Sequence, residues 1–448
     1  MPRVDPYKLA HWMNARKLTP DQVCAVGGLE PAELQATLAA TQARPTSGAA
    51  LQALASALGV ADSQLTADDD AGLTVVTQTA EAMYQSVRPI TRDGIHFYNY
   101  YSMAAPRSRV APVILDILCP ADRLPALNNG HLEPAITVNL GPGDIHGRWG
   151  SELSPATWQV LAANRADDGW ITGDSYVEPS YCPHSYSLAG STPARIVSYT
   201  AQSNLAALIE ETNRWSQLAF DQWTEDLDKE GSSAANLLRI VLRRRGYTIA
   251  SAAQAVGRTE GELLAAVTDE VDAVGLQTLR HVARTLGIDY RILLPGERNH
   301  DPVGKVSATV AQSRASRRPH GGHEVASMAG SPSLPDLSGL FVRVDSAERD
   351  ELHLIHENET HYLVVQGDLR LDWLDERGEE STTQLRVDGS AWVAPFVAHQ
   401  WRGRGSLLQF NSGRHVGYLD LMELSNTYDA TATLRRGHRD RADWGYER

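Results

Sequence analysis

Leu18-Thr19-Pro20-Asp21-Gln22-Val23-Cys24-Ala25-Val26-Gly27-Gly28-Leu29-Glu30-Pro31-Ala32-Glu33-Leu34 returns in pattern as Tyr247-Thr248-Ile249-Ala250-Ser251-Ala252-Ala253-Gln254-Ala255-Val256-Gly257-Arg258-Thr259-Glu260-Gly261-Glu262-Leu263, with Thr19/Thr248, Gly28/Gly257, Glu33/Glu262 and Leu34/Leu263 in register. Both copies also end alike. Leu51, Leu54 and Leu58 before Gly59 mirror Leu276, Leu279 and Leu286 before Gly287. A repeat on this scale decides the fold before any single helix is placed. Apolar residues recur at helical spacing, as in Leu9, Trp12 and Met13, with Thr or Ser caps and Gly at turns. Each copy therefore reads as four or five short helices.

Working outward, each helical copy is followed by a long stretch rich in Val, Ile, Tyr and Trp and in Gly-Asp or Gly-Pro turns. Val113-Ile114-Leu115-Asp116-Ile117 and Tyr362-Leu363-Val364-Val365-Gln366 ahead of Gly367-Asp368 are examples. Short strands of this kind suit a double-stranded β-helix, or cupin, barrel. The expected fold class is α+β, a tandem repeat of a helix-turn-helix-like module and a cupin barrel. The expected domains are 1–70 helical, 71–205 barrel, 206–297 linking helix and second helical module, and 298–448 second barrel. Residues 203–235 read as one linking helix, and Ser313 to Gly330, rich in Ser, Arg and Gly, as a mobile loop.

The 448 residues are 42% hydrophobic and 21% charged, the composition of a soluble globular chain. No run of about 18 apolar residues occurs and the N-terminus lacks the apolar core of a signal peptide, so no membrane partner and a cytoplasmic location are expected. The three cysteines, Cys24, Cys119 and Cys182, are too few for a disulfide framework or a cysteine-rich zinc site. A net charge of -14 opposes a general nucleic-acid surface. The helical modules would suit DNA only if their recognition helices were basic, and Pro31-Ala32-Glu33-Leu34-Gln35 is not. The run Arg239, Arg243, Arg244 and Arg245 in the second copy reads as a solvated face.

Chemistry concentrates in the first barrel. His131 sits in Asn128-Asn129-Gly130-His131-Leu132-Glu133, and a later segment holds Glu178 and His184 in Val177-Glu178-Pro179-Ser180-Tyr181-Cys182-Pro183-His184. Two His and one carboxylate on neighbouring strands form the facial set of mononuclear non-haem iron(II), which leaves positions open for substrate and dioxygen. Spacing leaves the carboxylate open. Glu133 lies two residues after His131, on the same face of a strand, and competes with Glu178. The second barrel acts as an internal control: Ala394 stands opposite Glu178, His399 falls within one residue of His184, and the register of His356 is not fixed. It reads as a degenerate, structural copy. Arg92, Tyr98, Asn99, Tyr100 and Tyr101 near the start of the first barrel offer a guanidinium fork, phenols and an amide suited to a phosphonate, phosphate or carboxylate.

These segments, from Lys8 through Lys17 to the tail Thr433-Leu434-Arg435-Arg436-Gly437, closely resemble the 2-hydroxyethylphosphonate dioxygenase family of iron bicupins, with methylphosphonate synthase and hydroxypropylphosphonate epoxidase as relatives of similar build. The resemblance implies iron(II) held by His131, Glu178 and His184, and substrate held by Lys17, Arg92, Tyr100 and Asn128. It also implies helical modules that do not serve DNA. The implied reaction takes 2-hydroxyethylphosphonate and O2 to hydroxymethylphosphonate and formate, with neither 2-oxoglutarate nor an external reductant, in phosphonate natural-product biosynthesis. Methylphosphonate synthase, expected to carry Gln as third ligand, is the alternative outcome from the same substrate; Glu178 favours the dioxygenase. A transcription regulator with a cupin sensor is the alternative from another class. His146, in Gly143-Asp144-Ile145-His146, departs from what the family leads one to expect.

Overall fold

The computed structural model describes residues 1–67, 72–92, 94–123, 127–150, 158–228, 233–266, 273–294, 299, 301–346, 352, 354–412 and 418–439. The expected domain boundaries at 70/71 and 297/298 lie outside them. Helices Pro6–Arg16, Pro20–Gly27, Pro31–Ala39 and Gly48–Leu58 form the first helical region. Thr19 closes a capping box with Gln22, and Gly28 ends the helix at φ 63°. In the second region Thr248 caps the helix Ile249–Ala255 in the same way. Each region encloses its own core, Leu9, Val23, Leu34, Leu51, Leu54 and Leu58 in the first and Leu238, Leu242, Leu263, Leu279 and Val282 in the second. Between the halves the expected single linking helix is two, Leu205–Thr212 and Gln217–Asp228. Arg214 and Trp215 close the first with turn hydrogen bonds to Glu211 and Thr212.

The β regions form two units. In the first, seven strands run in the order Val306–Ala308, Ser175–Glu178, Ala135–Pro142, Ala194–Thr200, Val113–Ile117, Ile95–Ser102 and Arg88–Arg92, and a three-stranded sheet orders His184–Leu188, Ile145–Trp149 and Trp158–Leu161. The second unit is an eight-stranded sheet centred on His399–Ser412 and Glu359–Leu374.

Each unit borrows a strand from the other half of the sequence. Val306–Ala308, from the second half, pairs with the strand ending in Glu178, while Val75–Gln78, from the first half, pairs with Ser390–Val393. This corrects the expected division, which put 75–78 with the first barrel and 306–308 with the second: strand propensity is local, and the sheet edge a short strand joins is a tertiary choice. The exchange is two-fold in pattern. The Ala104 amide donates to Ser390 Oγ and the Ala329 amide to Ser175 Oγ, both at 2.8 Å. A shared apolar core (Ile136, Val138 and Tyr199 with Phe341, Leu408 and Phe410) lies between the units. The expected mobile loop, Ser313 to Gly330, is also corrected. It holds the end of the helix Val310–Ala315 and the hairpin Arg318–His320 with His323–Ser327, turned by Gly321 and Gly322, so its glycines mark a tight turn and not looseness.

Candidate metal centre

His131, Glu178 and His184 converge, each offering a ligand atom within 4.8 Å of the others; they are the group of this kind found among the described residues. Glu178 ends its strand with a side chain 1% exposed, 3.5 Å from His131 Nε2 and 3.3 Å from His184 Nδ1. Two local devices aim the imidazoles. His131 Nδ1–H donates to the Glu133 carbonyl at 2.5 Å, which turns Nε2 toward Glu178. His184 Nδ1–H donates to the Cys182 carbonyl at 3.0 Å, and its Nε2 lone pair, the one a cation would take in place of this contact, accepts from Asn128 Nδ2 at 2.9 Å. Fixing the tautomer through a carbonyl is how proteins prepare imidazoles for a cation.

The backbone around them is knitted tightly. Asn128 Oδ1 accepts from the amides of Gly130 and His184, and the Tyr181 amide donates to the His131 carbonyl at 2.6 Å. Gly130 sits at φ 71°, where a Cβ would lie 2.4 Å from the Tyr181 carbonyl carbon, so only glycine lets the two histidine-bearing segments meet.

Electrostatics distinguishes the candidates. Burial pushes the Glu178 carboxyl up to about 8, an effect that the nearby Trp149 and Tyr176 side chains only partly offset. Burial also holds His184 down at about 4, with His131 and Arg92 adding to the effect. One of the Glu178 oxygens, Oε2, has no hydrogen-bond partner among the described residues. A buried carboxylate beside two imidazoles, of which burial keeps that of His184 neutral, is a donor set that suits a divalent cation. Glu133, the competing carboxylate, serves the cluster through its backbone carbonyl.

Asn128 therefore touches the cluster directly. Arg92 and Tyr100 lie within electrostatic reach of it: Arg92 acts on His184, Tyr98 and Tyr100, and Tyr100 feels Glu178. Burial raises the Tyr100 phenol above its ordinary value, which keeps it a neutral donor. Lys17 is not brought to the cluster. It is exposed, closing the helix Pro6–Arg16 in a left-handed conformation (φ 58°), with no hydrogen bond or ion pair to the site among the described residues. His146 faces away, on the opposite side of its strand from Ile145 and Trp149.

Sequence reasoning missed Trp149, Tyr176 and Tyr186. Tyr176 and Tyr186 are buried and hydrogen-bonded to each other through their hydroxyls, and Tyr186 lies 5.6 Å from the His184 ring. The signal was present: Tyr176 is two residues before Glu178 and Tyr186 two after His184, so strand alternation puts them on the ligand face.

The second unit repeats the frame. The Phe396 amide donates to the His356 carbonyl as that of Tyr181 does to His131, both at positive φ. His399 Nδ1–H donates to the carbonyl two residues back, Val397, as His184 does to Cys182. The His356 and His399 rings are 5.5 Å apart, against 5.4 Å for His131 and His184. This fixes the register left open in the sequence: His356 matches His131, and both imidazoles persist where the carboxylate has become Ala394. Between them stands Tyr362, whose hydroxyl is 2.7 Å from His399 Nε2 and 3.2 Å from His356 Nε2.

A model of the 2-hydroxyethylphosphonate dioxygenase cupin-like domain matches residues 84–201. The 2-hydroxyethylphosphonate dioxygenase of Streptomyces viridochromogenes is 56% identical over 445 residues, 99% of this chain and 100% of that protein. A solved structure of a single-substitution variant of 2-hydroxyethylphosphonate dioxygenase, 55% identical, superimposes with a TM-score of 0.87 over 97% of this chain and 100% of that one. The Streptomyces albus enzyme solved with 2-hydroxyethylphosphonate and Fe(II) shares the fold at 20% identity, TM-score 0.78, covering 98% of each chain. Identity of this degree over nearly all of both chains makes the chain a member of the 2-hydroxyethylphosphonate dioxygenase family.

Proposed function

We propose that the chain is an iron(II)- and O2-dependent dioxygenase that cleaves 2-hydroxyethylphosphonate to hydroxymethylphosphonate and formate. The atoms balance with one O2 and nothing else: both oxygen atoms end in the two products, and the four electrons that reduce them come from the carbon–carbon bond and one C2–H bond. The observation that carries this reading is the cluster of half-buried His131 with buried Glu178 and His184 inside a chain 56% identical to such an enzyme. We assign the metal to those three residues. Iron(II), when bound, supplies a coordination seat for substrate and dioxygen and the electron transfer that activates O2.

The chain's own residues do the rest. Arg92 presents a planar fork to the phosphonate. Tyr100, kept protonated, donates to it, and Asn128 holds the substrate while its backbone contacts fix the loop that carries His131. Trp149, Tyr176 and Tyr186 wall the ligands with apolar surface and exclude water. The role of Lys17 in substrate binding is carried by the resemblance alone. The helical regions we read as helix-turn-helix-like packing modules with no nucleic-acid role, the organisation as two helix-plus-cupin halves, the setting as phosphonate natural-product biosynthesis, and the location as cytoplasmic. Among the described residues no helix is long and apolar enough to cross a membrane.

The test is direct: anaerobic Fe(II) protein is mixed with 2-hydroxyethylphosphonate and air and followed by phosphorus NMR. A hydroxymethylphosphonate resonance with stoichiometric formate is expected. Methylphosphonate would make the chain a synthase, and an unchanged substrate spectrum would remove the assignment.

A further inference from the structure

The three-stranded sheet of the first unit has two faces, and only one serves the metal cluster. His184, Tyr186, Ile145 and Trp149 point inward. On the reverse, alternation places Ser185 and Ser187 on the first strand, His146 and Arg148 on the second, and Trp158 and Val160 on the third. Register makes them a grid, with Ser185 opposite Arg148 opposite Trp158, and Ser187 opposite His146 opposite Val160.

The polar members of this grid are buried and unanswered. Arg148 is 0% exposed, Ser187 0% and Ser185 2%. All three guanidinium nitrogens of Arg148, both serine hydroxyls and His146 Nδ1 lack a hydrogen-bond partner among the described residues. The Trp158 ring stacks on the guanidinium at 4.6 Å, which covers its face, while the N–H groups along its edge are left without an acceptor among the described residues. The neutral groups near Arg148, the Cys119 thiol and the Tyr98 phenol, bring no compensating charge. An uncompensated buried guanidinium is among the costliest arrangements a fold can keep, and a fork of N–H donors flanked by two hydroxyls and an imidazole is the donor set of an oxyanion site.

We propose that Arg148, Ser185, Ser187 and His146 form a second oxyanion site, separate from the metal cluster, that takes a phosphate or phosphonate group. Its position gives it a consequence. Ser185 follows His184 on the same strand, and Arg148 precedes Trp149, whose ring packs edge-on at 4.8 Å against that of Tyr176, two residues before Glu178. An anion on the reverse face thus orders, from behind, the strand that carries His184 and the neighbour that carries Trp149. Two sources share this chemistry, inorganic phosphate and the enzyme's own phosphonates.

The experiment compares thermal melts of the metal-free full chain and its Arg148→Met variant, each titrated with inorganic phosphate and, separately, with hydroxymethylphosphonate. In anion-free buffer the Met variant should melt higher, since it removes an uncompensated charge without changing the packing volume much. With saturating phosphate or phosphonate the wild type should gain roughly 3 °C or more, and the Met variant should lose that gain. Ser187→Ala, a milder change, should raise the half-saturating concentration several-fold. Arg92→Ala should keep the gain, which separates this site from the catalytic one. A response to phosphate alone identifies the free ion as the ligand, and a tighter response to hydroxymethylphosphonate identifies product. Equal responses of wild type and Arg148→Met, or no response of the wild type to either anion, would overturn the proposal.

Discussion

Gly130→Ala is the most demanding perturbation of the metal cluster, because it touches no ligand and adds one methyl group. At φ 71° the new residue would carry left-handed strain of about 1–2 kcal/mol. Its Cβ would meet the Tyr181 carbonyl carbon at 2.4 Å and the Tyr181 oxygen at 2.7 Å, backbone atoms that cannot swing aside. Restoring ordinary contact, which begins near 3.4 Å, requires the segment before His131 to part from the segment before His184 by about 1 Å. Metal–ligand distances tolerate only about 0.2 Å, so the three donors would no longer close on one ion. We expect metal affinity to fall at least 10- to 100-fold, the scale seen when the supports of ligands are disturbed, or about 1.4–2.8 kcal/mol. The apparent melting temperature should fall by roughly 1–2 °C for each kcal/mol. Anaerobic titration with Co(II) or Fe(II), followed optically or by calorimetry alongside far-ultraviolet circular dichroism, measures both. A variant that folds, melts with wild type and binds metal within twofold of it would refute the idea that this close approach sets the cluster.

Glu178→Ala should abolish metal binding, while Glu133→Ala should leave affinity within about threefold, because the structure uses only the Glu133 carbonyl; the reverse result in the same titration would exchange their roles. Arg92→Ala should raise KM for 2-hydroxyethylphosphonate at least tenfold with a smaller change in kcat, as measured by oxygen consumption. Burial holds His184, His356 and His399 neutral in the folded chain, each down at about 4, and His361 at about 3. The unfolded chain takes up those protons near pH 6.5 and the folded chain does not, so stability must fall as pH drops from about 6.5 toward 4. Glu178, raised to about 8, acts in the opposite sense, and four groups outweigh one; a melting temperature that rises on acidification over this range would contradict the assignment. Arg195 joins Asp116 of the first unit to Asp388 of the second at 2.8 and 3.1 Å, with its side chain 24% exposed. Arg195→Met, which strands two carboxylates, should therefore lower the unfolding free energy by about 2–4 kcal/mol, read by denaturant melts.

The three residues we assign to the metal could be picked out because they carry local signatures: His131 beside a glycine and an Asn, Glu178 and His184 six residues apart across a Pro-rich turn. The choice between Glu133 and Glu178 was not, since both alternate onto a plausible face. It is decided by which carboxylate is buried, a tertiary fact. The pairing of Val306–Ala308 with the glutamate strand was equally invisible, because three residues, Val-Ser-Ala, carry no address. His356 could not be registered on His131 from sequence, as the second copy lacks the flanking Asn-Asn-Gly. What identifies it is a backbone bond, Phe396 to His356, with no counterpart in side-chain identity. His146 drew notice as a departure from the family, and its significance lies on the other face of the sheet from the one first suspected.

The second β unit looks dispensable by its chemistry and is not so by its construction. The strand holding Glu178 is only four residues long, and its partners are Ala135–Pro142 on one side and Val306–Ala308, from the second half of the chain, on the other. Without the borrowed strand, Glu178 would end an edge strand with unpaired backbone groups, open to water. Water is what the carboxyl must be shielded from if its burial is to make a demanding site for a cation. The second half is thus free to lose its own carboxylate but not its strands. Its Ala394 shows that loss, and Tyr362 shows how the remaining imidazoles are kept. A phenol that donates to His399 and accepts from His356 satisfies both nitrogens with no cation. The two units therefore solve one problem, a buried imidazole facing a half-buried one, in two ways: a carboxylate that calls for a metal in one, and a hydroxyl that makes a metal unnecessary in the other.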